Sequence, residues 1–121
     1  MGTLGIVDPD VVDQSNLHRQ LLHRDADASL RTFKVDSAAR AVAALNPQVD
    51  VVTHCFALDA ANAFELVLKY DVVADCSDNP LTRYLLSDAC VLAGKALVSG
   101  SAVGLEGQLT VYNHAQGPCY R

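Results

Sequence analysis

The sequence is short of basic side chains, has no C-x-x-C pair and nowhere strings together the ~18 apolar residues that cross a bilayer, and each shortage excludes something. Nine lysines and arginines stand against 14 acids, a formal charge of −5. Sequence-independent binding to nucleic acid or to an anionic membrane surface comes from neutralising phosphates with Lys and Arg, so this balance excludes both as general partners. Any anionic ligand must meet a local basic cluster. A membrane-spanning helix is excluded by the missing apolar run. The four cysteines, at positions 55, 76, 90 and 119, lie mostly in apolar contexts, and no basic-then-apolar leader opens the chain; both point to a reducing, cytoplasmic setting. The histidines at 18, 23, 54 and 114 show no metal-ligand spacing. Internal repeats and low-complexity linkers are absent.

What is present suits one globular domain. The chain has 121 residues, 50% of them hydrophobic, and a chain of that size buries roughly two-thirds of its unfolded surface without disulfides or a structural metal. Short β-branched runs alternate with longer helical stretches, the pattern of a parallel sheet covered by helices. Strands are expected at residues 3–8, 49–54, 71–76, 96–99 and 108–112. Helices are expected at 34–46, 59–69 (Ala60, Phe64, Val67 and Leu68 on one side) and 81–92 behind Pro80, with a polar helical turn at 15–23. The nearly unbroken apolar run at 71–76 reads as a buried central strand. Gly100 to Gly104 and Glu106-Gly107 read as a glycine-rich break between the last two strands. Cys55, Cys76 and Cys90 are expected in the core as small apolar residues.

In open α/β sheets ligands bind beyond the carboxyl ends of strands, which puts Asp8 and Asp78 where chemistry is expected. Asp8 suits a pair of ribose hydroxyls, though from the residues alone a turn opened by Asp-Pro is the commoner use of such an acid. Asn16, Arg19 and Gln20 lie within about one helical turn, so their amide and guanidinium donors can converge on phosphate oxygens, unless that face is simply solvated. Lys34 starts a helix, where it opposes the macrodipole; an anion nearby would explain it. Asp78 and Asn79 are also candidate caps for the helix that follows.

Three segments carry a resemblance. Asp8-Pro9-Asp10-Val11-Val12-Asp13-Gln14-Ser15-Asn16-Leu17-His18-Arg19-Gln20, Asp75-Cys76-Ser77-Asp78-Asn79 with Arg83, and Glu106-Gly107-Gln108-Leu109-Thr110-Val111 with Gly117-Pro118-Cys119-Tyr120-Arg121 occur in the order found in one family. The chain resembles the superfamily of ThiF, MoeB and the ubiquitin-activating enzymes, and is most similar to its molybdopterin-synthase adenylyltransferases, including the eukaryotic bifunctional adenylyltransferase and sulfurtransferase. The resemblance implies an α/β, Rossmann-like doubly wound and mainly parallel sheet with helices on both faces, with residues 1–121 forming part of a ThiF-type ATP-binding domain. It implies ATP- and Mg2+-dependent adenylation of the C-terminal glycine of a ubiquitin-like sulfur-carrier protein, ahead of thiocarboxylate formation for molybdenum cofactor synthesis or tRNA thiolation. A homodimer is implied as well. By the same resemblance Asp8 holds the ribose, Asn16, Arg19, Gln20 and Lys34 hold the triphosphate, and Asp78 holds Mg2+. Arg83 would orient that acid or meet the carrier's tail.

The family's first strand and G-x-G-x-x-G loop have no counterpart here, and Cys119 stands where a four-cysteine Zn2+ site would begin, one residue short of its second ligand. The spacing from Arg19 to Lys34 is also longer than the family's usual loop. These departures lead us to expect a fragment of a longer adenylyltransferase. The competing readings are a noncatalytic family member that binds ubiquitin-like proteins and a piece of an NAD-dependent dehydrogenase, whose second strand also ends in an acid.

Overall fold

Strand β1 (Thr3–Val7) and strand β2 (Asp50–His54) run parallel in the computed structural model, which describes residues 2–121. Their register pairs Thr3 with Asp50 and Val7 with His54. They belong to the first of two compact units, Met1–Ala57 and Leu58–Arg121. Parallel strands need a crossover, and it is made here by a one-turn 3-10 helix (Gln14–Asn16), helix α1 (Asp25–Ser29) and helix α2 (Lys34–Leu45). Helix α2 packs on β2. Its buried residues are Val35, Ser37 and Ala38, of which Val35 and Ala38, three apart, lie on one face as in an amphipathic helix. With Val12 they form the buried centre of this unit. The helix ends at Asn46-Pro47, as its sequence predicts.

The second unit holds helix α3 (Ala63–Leu68), strand β3 (Val72–Asp75), helix α4 (Pro80–Ala93) and strands β4 (Ala96–Val103) and β5 (Glu106–Tyr112). Strand order is β3-β4-β5, the first pair parallel and the second antiparallel. Helix α4 lies on β3 and β4, and α3 on α4. Ala63, Val67, Leu86, Ala89, Cys90 and Leu97 make the core, with Leu58, Val73 and Tyr112 packed against it. Helix α4 starts where Asn79 Oδ1 accepts the Thr82 N–H at 2.9 Å with Pro80 in the first turn. It stops at Gly94, whose φ of 66° lies in the left-handed region that only glycine enters without strain. Asn113 Nδ2 then donates to the carbonyl of Cys90, in the helix's last turn, and to that of Lys95 just beyond the cap.

Several expectations are corrected. The run at 71–76 is not a central strand of its sheet: β3 is an edge among the described residues, and Val72 is 58% exposed. An apolar run signals burial on both faces but cannot say whether a neighbouring strand is present. Gly100 to Val103 and Glu106-Gly107 do not form a break. They continue both ladders, Gly100 opposite Leu109 and Ser101 opposite Gln108, and only Gly104-Leu105 turns the hairpin, with Gly104 at φ 61°. The helix expected from residue 59 begins at Ala63, because Asp59 Oδ1 accepts the N–H groups of Ala61 and Asn62 in a turn. Its inward residues are Ala63, Leu66 and Val67, while Phe64 and Leu68 are exposed. Helix α1 was not expected.

Cys55 and Cys76 are exposed and only Cys90 is buried as anticipated, because Cys55 follows β2 and Cys76 follows β3, past the end of each ladder. Burial pushes the Cys90 thiol up to about 11, so it is scarcely ionised at neutral pH. Alkylation of the native protein with N-ethylmaleimide should therefore modify Cys55 and Cys76 promptly and Cys90 only after denaturation. Mass-spectrometric detection of Cys90 modified at the rate of the exposed pair would contradict the packing described.

Candidate functional site

The first group of polar residues is built where β1 ends. Pro9 cannot continue the ladder, and Asp8 Oδ1 turns back to accept the Asp10 N–H at 2.8 Å. The chain then pairs briefly with the segment before α2: Val11 bridges Phe33, Val12 N–H donates to Thr32 O at 2.8 Å and Lys34 N–H to Asp10 O at 2.9 Å. That pairing brings the Lys34 ammonium within 2.8 Å of Asp10 Oδ2 and 3.7 Å of Asp8 Oδ2. The lysine side chain is only 14% exposed. Burial by itself would pull its pKa down; the hydrogen bond to Asp10 and the charges of Asp8 and Asp10 outweigh it and hold the ammonium above its ordinary value. The anion that a lysine at a helix start calls for is thus supplied within the chain.

Asn16, Arg19 and Gln20 share one turn, with the Arg19 and Gln20 N–H groups both donating to the Asn16 carbonyl. Asp13 caps that turn through Ser15, and the Ser15 hydrogen bonds hold its carboxyl below the ordinary value. The Arg19 side chain is exposed and forms no ion pair among the described residues. Gln20 Oε1 is buried without a hydrogen-bond partner among the described residues. A buried acceptor left unpaired is costly, so this amide is a natural meeting point for a donor from a ligand or an ordered water.

In the second unit Asp75, Asp78, Ser77 and Arg83 gather at the end of β3. Asp78 lines an open cleft of about 400 Å3 with Cys76, Ser77, Arg83, Gly100 and Ser101. Its carboxylate is exposed and has no hydrogen bond or ion pair among the described residues. Asn79, and not Asp78, caps α4. Mg2+ takes one or two carboxylates and completes its octahedron with phosphate oxygens and water, so an unpaired acid facing a cleft fits it. No group of three His, Cys, Asp or Glu able to hold a metal occurs among the described residues. Cys119 is half-buried beside the Arg121 carbonyl, and Arg121 forks onto Asp88 with two bonds of 2.8 Å.

With this geometry in hand, comparison with known proteins is decisive. The model of the ThiF family matches residues 1–121. The chain belongs to the ThiF family. Curated relatives named "Adenylyltransferase and sulfurtransferase MOCS3" are similar over the whole chain, at 60% identity in Bos taurus and 51% in Arabidopsis thaliana. This ThiF-family chain spans 26% of the length of each. Among solved structures, PaaA matches with a TM-score of 0.80 at 25% identity, covering 99% of this chain and 39% of PaaA. MccB of E. coli with succinimide matches at 0.86 and 20% identity, covering 98% of this chain and 36% of MccB. The fold is the Rossmann-like α/β fold of these neighbours.

Asp8 and Lys34 stand out in the sequence but their meeting does not, and no signal there singles out Asp10, Asp27 or Ser99. Asp27 could have been found as the acid three residues into a short helix, where it accepts the Arg24 N–H at 3.1 Å, but an arginine at the cap hides the signature. Asp27 also accepts from Ser37 Oγ at 2.8 Å and pairs with Arg40, and Ser37 Oγ in turn accepts from His23 Nδ1 at 2.9 Å. The Ser37 hydroxyl first, then the Arg24 N–H, hold the Asp27 carboxyl below 3.8. Because the folded value lies below the unfolded one, this contribution to stability is complete above pH ~4 and lost as pH falls through the folded value. A carboxyl NMR titration should place Asp27 below its ordinary value and move it back up in Ser37→Ala. An unchanged midpoint in that variant would rule out the serine as the main cause.

Proposed function

We propose that this chain is the nucleotide-handling part of an adenylyltransferase that activates the C-terminal glycine of a ubiquitin-like sulfur-carrier protein. The observation that carries the reading is the 60% identity, over all 121 residues, with a relative named as an adenylyltransferase and sulfurtransferase. In the reaction a carboxylate oxygen of the carrier attacks the α-phosphorus of ATP. An O–P bond forms, the bond to the β-phosphate oxygen breaks, and pyrophosphate leaves with the electron pair, giving an acyl adenylate. No nucleophile from this chain is required. The chain supplies alignment and charge.

Asp8 is suited to accept hydrogen bonds from the ribose hydroxyls: Oδ1 takes the Asp10 N–H, and Oδ2, paired with the Lys34 ammonium at 3.7 Å, keeps lone pairs for further donors. Asn16 and Gln20 offer amide groups from one turn. The free Arg19 guanidinium presents a fork of donors for phosphate oxygens. Lys34 is held charged beside the end of β1, and exchanging a carboxylate partner for a phosphate would cost it no protonation step. Asp78 would hold Mg2+, which when bound neutralises phosphate charge and orients the leaving group. The sulfur transfer that follows, serving molybdenum cofactor synthesis or tRNA thiolation, and a homodimeric, cytoplasmic enzyme are part of the same reading.

Measured on the full-length protein, ATP–pyrophosphate exchange should depend on both the carrier and Mg2+. Arg19→Ala and Asp78→Ala should each lower it by roughly 10²–10³-fold, the usual loss when one charge-stabilising group is removed. Exchange at the parental rate in Arg19→Ala would take that residue off the phosphates, and exchange independent of the carrier would overturn the substrate.

A further inference from the structure

The carboxylate of Asp75 is the most deeply buried charge at the end of β3, its side chain 1% exposed. Four groups meet it. Ser77 N–H donates to Oδ1 at 2.9 Å and Ser77 Oγ at 2.6 Å; Ser99 Oγ, from β4, donates to Oδ2 at 2.9 Å. Arg83 Nε lies 3.5 Å from Oδ2, too far for a hydrogen bond in this geometry, while Arg83 Nη2 donates to the Ser77 carbonyl at 2.9 Å. The arginine therefore grips Ser77 from its carbonyl side as Asp75 grips it from its N–H and hydroxyl. Ser77 is the residue immediately before Asp78, and its peptide is held at both ends.

A buried carboxylate is tolerated only when its lone pairs are filled and its charge is balanced, and removing one partner leaves the rest uncompensated. Arg83 of α4 balances the charge, but neither the apolar core beside it nor the start of α4, already capped by Asn79, calls for a carboxylate here. What the network does fix is the direction of the chain between β3 and α4, the turn that carries Asp78 into the cleft.

We propose that Asp75 is a positioning residue, which acts with Ser99 and Arg83 through Ser77 to hold the Asp78 carboxylate in the one placement that suits a divalent cation. The inference rests on the reading of Asp78 as the Mg2+ ligand. Groups behind a metal ligand typically account for a 10- to 100-fold share of metal affinity. Their effect here would pass through the backbone of Ser77.

The test uses the full-length protein and Mn2+ as the spectroscopic probe, titrated by electron paramagnetic resonance with α,β-methylene-ATP present so that no turnover occurs. Asp78→Asn should lose Mn2+ binding. Asp75→Asn should weaken it roughly tenfold or more, with the metal-free affinity for the analogue unchanged. Ser99→Ala, which removes one hydroxyl, and Arg83→Lys, which keeps the charge but not the two-sided grip, should weaken it in the same direction. They decide the matter should Asp75→Asn fail to fold. If Asp78→Asn loses Mn2+ while Ser99→Ala and Arg83→Lys bind it as the parent does, the positioning role is overturned and the Mg2+ reading stands. If Asp78→Asn itself binds Mn2+ normally, the Mg2+ reading fails and the proposal falls with it.

Discussion

A charge withdrawn from water must be met by opposite charge or by a full set of hydrogen bonds, and in this chain that constraint shapes the loops at strand ends. In the first unit the charge is the Lys34 ammonium, which sits at a helix start against the macrodipole and is nearly buried. It is tenable because Asp8 and Asp10 stand beside it, and they stand there because the 10–12 segment pairs with 32–34. The end of β1 is thereby tied to the beginning of α2. In the second unit the charge is the Asp75 carboxylate, and the same requirement ties the end of β3 to β4 and to the first turns of α4.

These ties matter because loops at strand ends are otherwise the least constrained parts of an α/β fold. Ordinary surface ion pairs contribute little, about 0–1 kcal/mol, and would not hold a loop against thermal motion. The Lys34 and Asp75 clusters differ in that the central charge of each, the lysine in one and the aspartate in the other, is nearly buried and is flanked by backbone hydrogen bonds. Preorganisation of this kind is what an adenylation site needs: the reaction asks the protein for charge held in place before the substrate arrives, and for no covalent participation.

Much of the fold was legible. Strands β1 and β2 and helices α2 and α4 were readable because hydrophobic period and stop signals act within a few residues: Asp8-Pro9, Asn46-Pro47 and Pro80 end or open elements by their own chemistry. The edge position of β3, the exposure of Cys76 and the continuation of β4 through Gly100 were not, because each depends on which strand lies alongside, a property of no local window. Helix α1 is five residues long and is held by Asp27, Ser37 and Arg40, contacts that link positions ten or more apart. Likewise Asp8, Lys34 and Asp78 were readable as charged residues in telling places. The partners beside them were not: Asp10 lies in a telling segment but its pairing with Lys34 spans 24 residues, and Ser99 reads only as one residue of a strand.

We propose that nucleotide binds at the Lys34 cluster, where carboxylates keep the lysine charged until a phosphate replaces one of them. A crystal structure of the full-length protein with α,β-methylene-ATP and Mg2+ tests it most directly. The account predicts ribose hydroxyls within hydrogen-bond distance of Asp8 and the Lys34 ammonium moved from Asp10 onto phosphate oxygens. An analogue bound elsewhere, with Lys34 still paired to both Asp8 and Asp10, would contradict it.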